Sequence, residues 1–193
     1  MKRKLLAVAV TVICLSMMAY GTLAYFTAED TAHNVITSGE IDIELQEWAD
    51  AEKTTPFPED GVSGVMPGTE VTKIVEVKNT GANDAYIRVK VEKEFVLSEG
   101  VEGETDSGLM KIDFDETYWM LGEDGYYYYK TALEPGAVTE PLFASVNFDT
   151  AMGNIYQNST AKVDVTAYAV QVANNGDSVM DAKGWPKRKE VMR

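Results

Sequence analysis

Hydrophobic and polar residues alternate with a period of two along several stretches of the chain. Residues 39–45 read Gly-Glu-Ile-Asp-Ile-Glu-Leu, which places apolar side chains on one side and acidic side chains on the other. Residues 85–95 alternate in the same way, and residues 71–77, 142–148 and 163–172 are further strand-like stretches. From Tyr25 onward, no segment of ten or more residues keeps a helical stripe. The pattern therefore predicts short β-strands, each with one dry face.

Turn signals separate these stretches. They are Pro67-Gly68, Asn79-Thr80-Gly81, Gly122-Glu123-Asp124-Gly125 and Pro135-Gly136. Short antiparallel strands with one wet face each must bury their dry faces against one another. The sequence predicts an all-β fold: a single jelly-roll-like antiparallel β-sandwich over residues 25–173, following an N-terminal apolar signal helix. No second domain is expected.

The first 24 residues follow a different pattern. A cationic start, Met1-Lys2-Arg3-Lys4, precedes a run from Leu5 to Ala28 without a charged side chain. This is typical of a signal peptide over residues 1–24, and small residues before the junction favour cleavage between Ala24 and Tyr25. An uncleaved anchor is the alternative, because the run could span a bilayer of roughly 20 helical residues. Both interpretations place the domain outside the cell, with membrane contact only through an uncleaved signal.

Composition narrows the possible chemistry. The 193 residues include 17 Lys and Arg against 31 Asp and Glu, a net charge of −14, with one Cys and one His. A strongly acidic chain is a poor nucleic-acid binder, since phosphates attract cations. Cys14 lies in the signal, so an exported chain beginning at Tyr25 carries no thiol and folds without disulfides.

Several motifs resemble one family of exported bacterial proteins. They are the junction Gly21–Thr27, the run Asn34-Val-Ile-Thr-Ser-Gly-Glu-Ile-Asp-Ile43, the turn and strand Met66-Pro-Gly-Thr-Glu-Val71, the strand and turn Val75-Glu-Val-Lys-Asn-Thr-Gly81, and the closing Tyr168-Ala-Val-Gln171. In these motifs the chain resembles the TasA/camelysin family, whose signal peptides are handled by a SipW-type signal peptidase. The resemblance implies a secreted jelly-roll subunit of extracellular (biofilm) matrix fibres at the cell surface. It also implies that the N-terminal segment of one subunit adds as a strand to the next, either another copy in a head-to-tail homopolymer or a related matrix subunit.

The segment that would act as donor strand is residues 25–38. It is extended in pattern, with Tyr25, Phe26, Val35 and Ile36 as its apolar candidates, and it precedes the first strong strand. An unpaired strand offers backbone donors and acceptors that a sheet edge elsewhere can complement. The alternative is that the segment folds back as an edge strand of its own sheet, because a monomer can satisfy the same hydrogen bonds.

The resemblance also admits a metallopeptidase function, because camelysin is named as a metallopeptidase. The common zinc peptidase needs two His on one helical face with a Glu between them. This chain has only His33, and it has no Gly-x-Ser-x-Gly motif for a serine nucleophile. The sequence therefore predicts no enzyme, no catalytic or metal-binding residues and no cofactor, with a camelysin-like metallopeptidase as the weaker alternative.

Three other features have two interpretations each. Asp106, Asp113, Asp115 and Glu116 could gather around calcium, or form a solvated acidic face. The run Tyr126–Tyr129 could stack on a glycan in a monomeric secreted or cell-surface binding module, but alternation favours one core pair and one exposed pair after a hairpin turn. The polar basic tail, residues 174–193, could contact an acidic neighbour or an anionic wall polymer, or be solvated.

Overall fold

The computed structural model describes residues 35–38, 41–64 and 66–186, with the backbone alone described for residues 36–38. The described strands are β1 (Val35–Ser38), β2 (Ile43–Trp48), β3 (Val62–Ser63), β4 (Glu70–Asn79), β5 (Ala85–Val96), β6 (Met110–Ile112), β7 (Trp119–Leu121), β8 (Tyr127–Tyr129), β9 (Phe143–Phe148) and β10 (Thr160–Gln171). Single 3₁₀ turns occupy Ser107–Leu109 and Asn154–Tyr156.

Some sequence predictions lie outside the described residues. These are the signal over residues 1–24, cleavage between Ala24 and Tyr25, the candidate donor residues Tyr25 and Phe26, and His33. Within the part of the chain that the structure describes, no helix has the length and apolar character needed to cross a membrane.

The strands form two sheets. The first has the order β1-β10-β5-β8-β7, with β3 also beside β10, and the second has the order β2-β4-β9-β6. Neighbouring strands are antiparallel except β1 and β10, which run parallel. The predicted all-β sandwich is confirmed.

The inner faces of both sheets bury the residues that alternation assigned to the core. On β5, Ala85, Ile87 and Val89 are fully buried, and they share one apolar cluster with Val75 and Val77 of β4. The β5 and β10 strands pair without interruption from Ala85–Gln171 to Val96–Thr160. Burial of large aliphatic side chains contributes about 1.5–3 kcal/mol each, so this cluster is the main source of stability.

The outer face of the first sheet differs from the prediction. Alternation placed Tyr86 and Arg88 on the polar side of β5, yet both are buried. The reason is that residues 172–186 fold back over this face, where Val179, Ala182 and Trp185 pack onto the sheet. We call the resulting small apolar group the outer cluster; its buried members are Tyr86, Tyr128, Val170, Val179 and Ala182. Residues 174–186 therefore contact the domain through Val179, Ala182 and Trp185, while other side chains of this stretch are exposed, and residues 187–193 lie outside the described range.

The tyrosine run forms a strand of the β7–β8 hairpin, as the turn at Gly122–Gly125 predicted. Tyr127 and Tyr129 pack in the main core, and Tyr126 and Tyr128 pack in the outer cluster. The predicted alternation is confirmed, but the pair expected on the surface is covered by the segment 172–186.

Candidate functional site

The edge strand β1 is the only described part of the proposed donor segment. Its register pairs Val35 with Ala167 and Ser38 with Val170 of β10. Val35 is half-buried against the main core, and Ile36 contributes backbone to the strand. Residues 35–38 take the fold-back arrangement that the sequence left as an alternative, and among the described strands they pair with β10 alone.

Beside β1, part of the β10 edge has no partner among the described strands. On this side of β10, β3 pairs with Thr160 and Ala161, and β1 pairs with residues 167–170. Within the described chain, residues 162–166 have no strand partner on that side. A strand added there would pair with these backbone groups beside β1.

A buried charge pair lies on the second sheet. Lys73 of β4 is 3% exposed, and its Nζ lies 2.7 Å from Oε1 of Glu47 on β2. That oxygen is itself buried, and Lys73 Nζ lies from it at the distance of a charge-assisted hydrogen bond. Nζ also lies 4.0 Å from the centre of the Phe57 ring. Burial lowers the pKa of Lys73, while the charge of Glu47, its hydrogen bond to Lys73 and the charge of Asp164 on β10 oppose that shift.

At the opposite edge of the first sheet, beside β7, an aromatic cleft of about 290 Å³ opens. Its wall is formed by Phe114 stacked on Tyr127, with ring centres 4.1 Å apart, and by Trp119, and its rim carries Asp115 and Glu116. Burial raises the pKa of Tyr127, and the charge of Glu116 adds to that shift. Tyr127 is the member of the tyrosine run that lines this cleft.

The outer cluster encloses a cation that sequence reasoning missed. The Arg88 guanidinium lies 4.0 Å from the centre of the Tyr126 ring and 4.6 Å from that of Trp185. Its Nη1 donates to the Tyr128 hydroxyl at 3.3 Å and lies 3.5 Å from Asp124. Burial is the largest cause of the raised pKa of Tyr128, followed by the hydrogen bond to Asp124. These three aromatic residues lie far from Arg88 in the sequence, and the pairing of β5 with β8 and the fold-back of segment 172–186 bring them together.

The four acids considered for calcium do not gather around one point. Asp106, Asp113 and Asp115 each accept hydrogen bonds from nearby backbone N–H groups, at 2.7 Å from Gly108, Ser145 and Thr117 respectively. Glu116 is exposed. Among the described residues, no three side chains of His, Cys, Asp or Glu are placed to hold a metal ion.

Comparison with protein families matches residues 1–115 to the family described as camelysin metallo-endopeptidase. No curated protein matches the chain, and no solved structure does. The family description implies a bound metal. A zinc peptidase site uses three protein ligands, commonly with two His. The residues of this chain fit such a site poorly, because His33 and Cys14 are the only His and the only Cys of the sequence. The match covers more than half of the chain and includes its first six strands, so the chain belongs to the TasA/camelysin family.

Proposed function

We propose that this protein is a secreted structural protein of the extracellular matrix that assembles into fibres by N-terminal strand addition after signal cleavage. The observation that carries the proposal is the position of β1. It is a four-residue strand that, among the described strands, is paired on one side only, and it follows directly on the segment that cleavage would free.

Exchange of this strand between copies would cost little free energy. Within the described chain, β1 forms its ladder with β10 alone, so withdrawing it leaves the antiparallel pairs of both sheets in place. A neighbour's segment in the same register recovers the same backbone hydrogen bonds, and it can also cover residues 162–166. Each copy then donates one strand and accepts one, which generates an open filament.

Two steps precede assembly in this proposal. A signal peptidase of the SipW type cuts between Ala24 and Tyr25, and the freed segment leaves the membrane. The acceptor is a second copy or a related matrix subunit, and the product is located outside the cell. Membership of the TasA/camelysin family supports a location outside the cell or at its surface.

The test uses a chain that begins at Tyr25 and carries Ser38→Cys and Val170→Cys. These positions are directly opposite in the β1–β10 register, and the chain has no other thiol. Oxidising the dilute monomer should lock β1 onto its own β10 and prevent fibres in electron microscopy. Oxidising after assembly should give a ladder of covalent multimers on a non-reducing gel, since the two cysteines then belong to different copies.

A chain without residues 25–38 is the matched control and should remain monomeric. Strand exchange is ruled out if the locked monomer forms fibres as fast as the reduced one, or if oxidised fibres release only cross-linked monomers. A Tyr25 chain that stays monomeric at high concentration would remove the assembly proposal altogether.

A further inference from the structure

The cleft beside β7 combines an apolar wall with a negative rim. Leu121 is 63% exposed at the edge, although Trp119 on the same strand is fully buried. The stacked rings of Phe114 and Tyr127 form the side of the cleft. A surface of this kind is suited to the hydrocarbon stem of a long side chain, with its charged end at the rim.

The charges at the rim select a cation. Asp115 and Glu116 are both at the cleft, and the negative charge of Glu116 is one cause of the raised pKa of Tyr127. Lys130 also lines the cleft, but its Nζ donates to the carbonyl oxygens of Glu116 and Thr117 at 2.7 and 2.9 Å. The ammonium group of Lys130 is therefore bound to the loop and leaves the cleft open. A Lys or Arg side chain that enters the cleft contacts the carboxylates of Asp115 and Glu116 and the aromatic rings.

The chain contains a segment with the complementary charge. Residues 25–182 hold 9 Lys and Arg against 30 Asp and Glu, whereas residues 187–193 hold Lys187, Arg188, Lys189 and Arg193 against Glu190 alone. This is the one strongly basic stretch that follows the domain in the sequence. On an acidic protein, such a segment is attracted most where carboxylates border a concave surface.

The point at which the described chain ends brings this segment within reach. Trp185 packs edge-on against Tyr128 of β8, with ring centres 5.9 Å apart, and β8 is the direct neighbour of β7. Adjacent strands are about 4.8 Å apart. Seven extended residues span roughly 23 Å, so residues 187–193 can pass the β7 edge and enter the cleft of the same molecule.

We infer that the basic segment 187–193 binds in the cleft formed by Phe114, Glu116 and Tyr127 of its own chain. The ligand class is a Lys or Arg side chain, held by aromatic contact and by the carboxylates at the rim. Because the segment is tethered through Trp185, its effective concentration at the cleft is of millimolar order, which makes weak individual contacts sufficient. The inference does not depend on fibre formation.

The experiment places a nitroxide spin label on residue 192 through Met192→Cys, in the chain beginning at Tyr25, which has no other thiol. At a concentration where the chain is monomeric, the label should broaden the amide signals of residues 116–121. Broadening should fall by about half or more in Glu116→Gln, and similarly at about 0.5 M NaCl, where charges are screened beyond a few ångströms. Glu123→Gln removes an exposed acid from the nearby β7–β8 turn and should leave the broadening unchanged.

Three results would overturn the inference. The first is an absence of broadening at residues 116–121. The second is equal broadening in Glu116→Gln and in the parent chain. The third is broadening that appears only when isotope-labelled chains are mixed with spin-labelled ones, which would assign the segment to a neighbouring copy.

Discussion

The side chain of Asn79 shows how one residue fixes a turn in this fold. It is fully buried at the end of β4, and its Nδ2 donates to the carbonyl oxygens of Asn83 and Leu133 at 2.8 and 2.9 Å. Its Oδ1 accepts from the N–H of Gly81 at 3.0 Å. At Gly81 itself, a Cβ would lie 2.9 Å from the backbone nitrogen of Asp42, so only glycine fits. The buried Asn79 side chain therefore links the predicted Asn-x-Gly turn to the backbone at Asn83 and at Leu133.

We expect Asn79→Ala to lower the free energy of unfolding by about 2–3 kcal/mol, because buried carbonyl and N–H groups lose their partners. Urea unfolding followed by tryptophan fluorescence measures this change. Asn175 is the matched control: its amide makes three hydrogen bonds of the same kind, to Gln171 and Lys183, but it is only partly buried. Asn175→Ala should cost clearly less, and an equal cost in the two variants would contradict the argument from burial.

The pair Lys73–Glu47 gives the stability a dependence on pH. Burial lowers the pKa of Lys73 in the folded state, below the value of 10.5 that it has in the unfolded chain. Between those two values the unfolded chain holds a proton that the folded chain has released, so the free energy of unfolding rises with pH. We expect the double variant Lys73→Met/Glu47→Leu to lose the contribution of Lys73, so that its slope is lower than the parent's; Lys93, whose pKa is also lowered by burial, contributes to both slopes alike.

Urea unfolding of parent and variant from about pH 7 upward to 10.5 measures the slopes. Lys183 is exposed and serves as the control, since Lys183→Met should keep the slope of the parent. A double variant with the parent's slope would show that Lys73 keeps an ordinary pKa.

At the residue scale, the sequence predicted burial well where side chains were apolar and poorly where they were charged. Ile43, Val89 and Phe95 were assigned to the core by alternation and are buried. Lys73 stands in an apolar stretch between Val71 and Val75, which was a visible signal. Its partner Glu47 could not be identified, because the pair depends on the register between β2 and β4.

At the element scale, the long strands were predictable and the short ones were not. The alternating stretches correspond to β2, β4, β5, β9 and β10. In contrast, β3 and β6 have two and three residues, too few to show a period. The covered outer face of the first sheet was not foreseen, because the apolar residues of segment 172–186 are spaced without any period and contact a face formed far away in the sequence.

The segment 172–186 should be held on the sheet largely through Trp185 and Arg88. We expect Trp185→Ala to lower the free energy of unfolding by about 1–2 kcal/mol through lost apolar contact and lost attraction between the ring and the cation. A double-mutant cycle with Arg88→Met should give a coupling energy of about 0.5–1 kcal/mol, measured by urea unfolding. Strict additivity of the two single changes would mean that the 4.6 Å contact contributes nothing beyond packing.

At the scale of the whole molecule, the sandwich could be predicted because alternating strands must bury one face each. The strand order could not, since it depends on pairings between distant segments. The clearest case is the donor segment: the sequence showed an extended stretch without an obvious partner, and the structure pairs its last four residues with β10.

The small number of His and Cys residues in the sequence leads to a prediction about zinc binding. With His33 and Cys14 as the only His and Cys, we expect zinc to leave the melting temperature of the Tyr25 chain unchanged, and we expect no zinc-dependent cleavage of an unstructured protein such as casein. Differential scanning fluorimetry with zinc and with EDTA, together with a casein digestion assay, tests both points. His33→Ala is the control and should behave as the parent does. A zinc-dependent rise in melting temperature that is lost in His33→Ala would show a metal site, because a ligand that binds the folded state stabilises it.

The parallel pairing of β1 with β10 joins the first described strand to the last. During synthesis, Val35 leaves the ribosome roughly 130 residues before its partner Ala167, which corresponds to about ten seconds of translation. For that interval the first described strand has no partner in its own molecule, and it can join the sheet only after β10 has been made. On the proposed route the signal holds this strand at the membrane until cleavage, so at that moment the β10 edges of its own chain and of a folded neighbour compete for it.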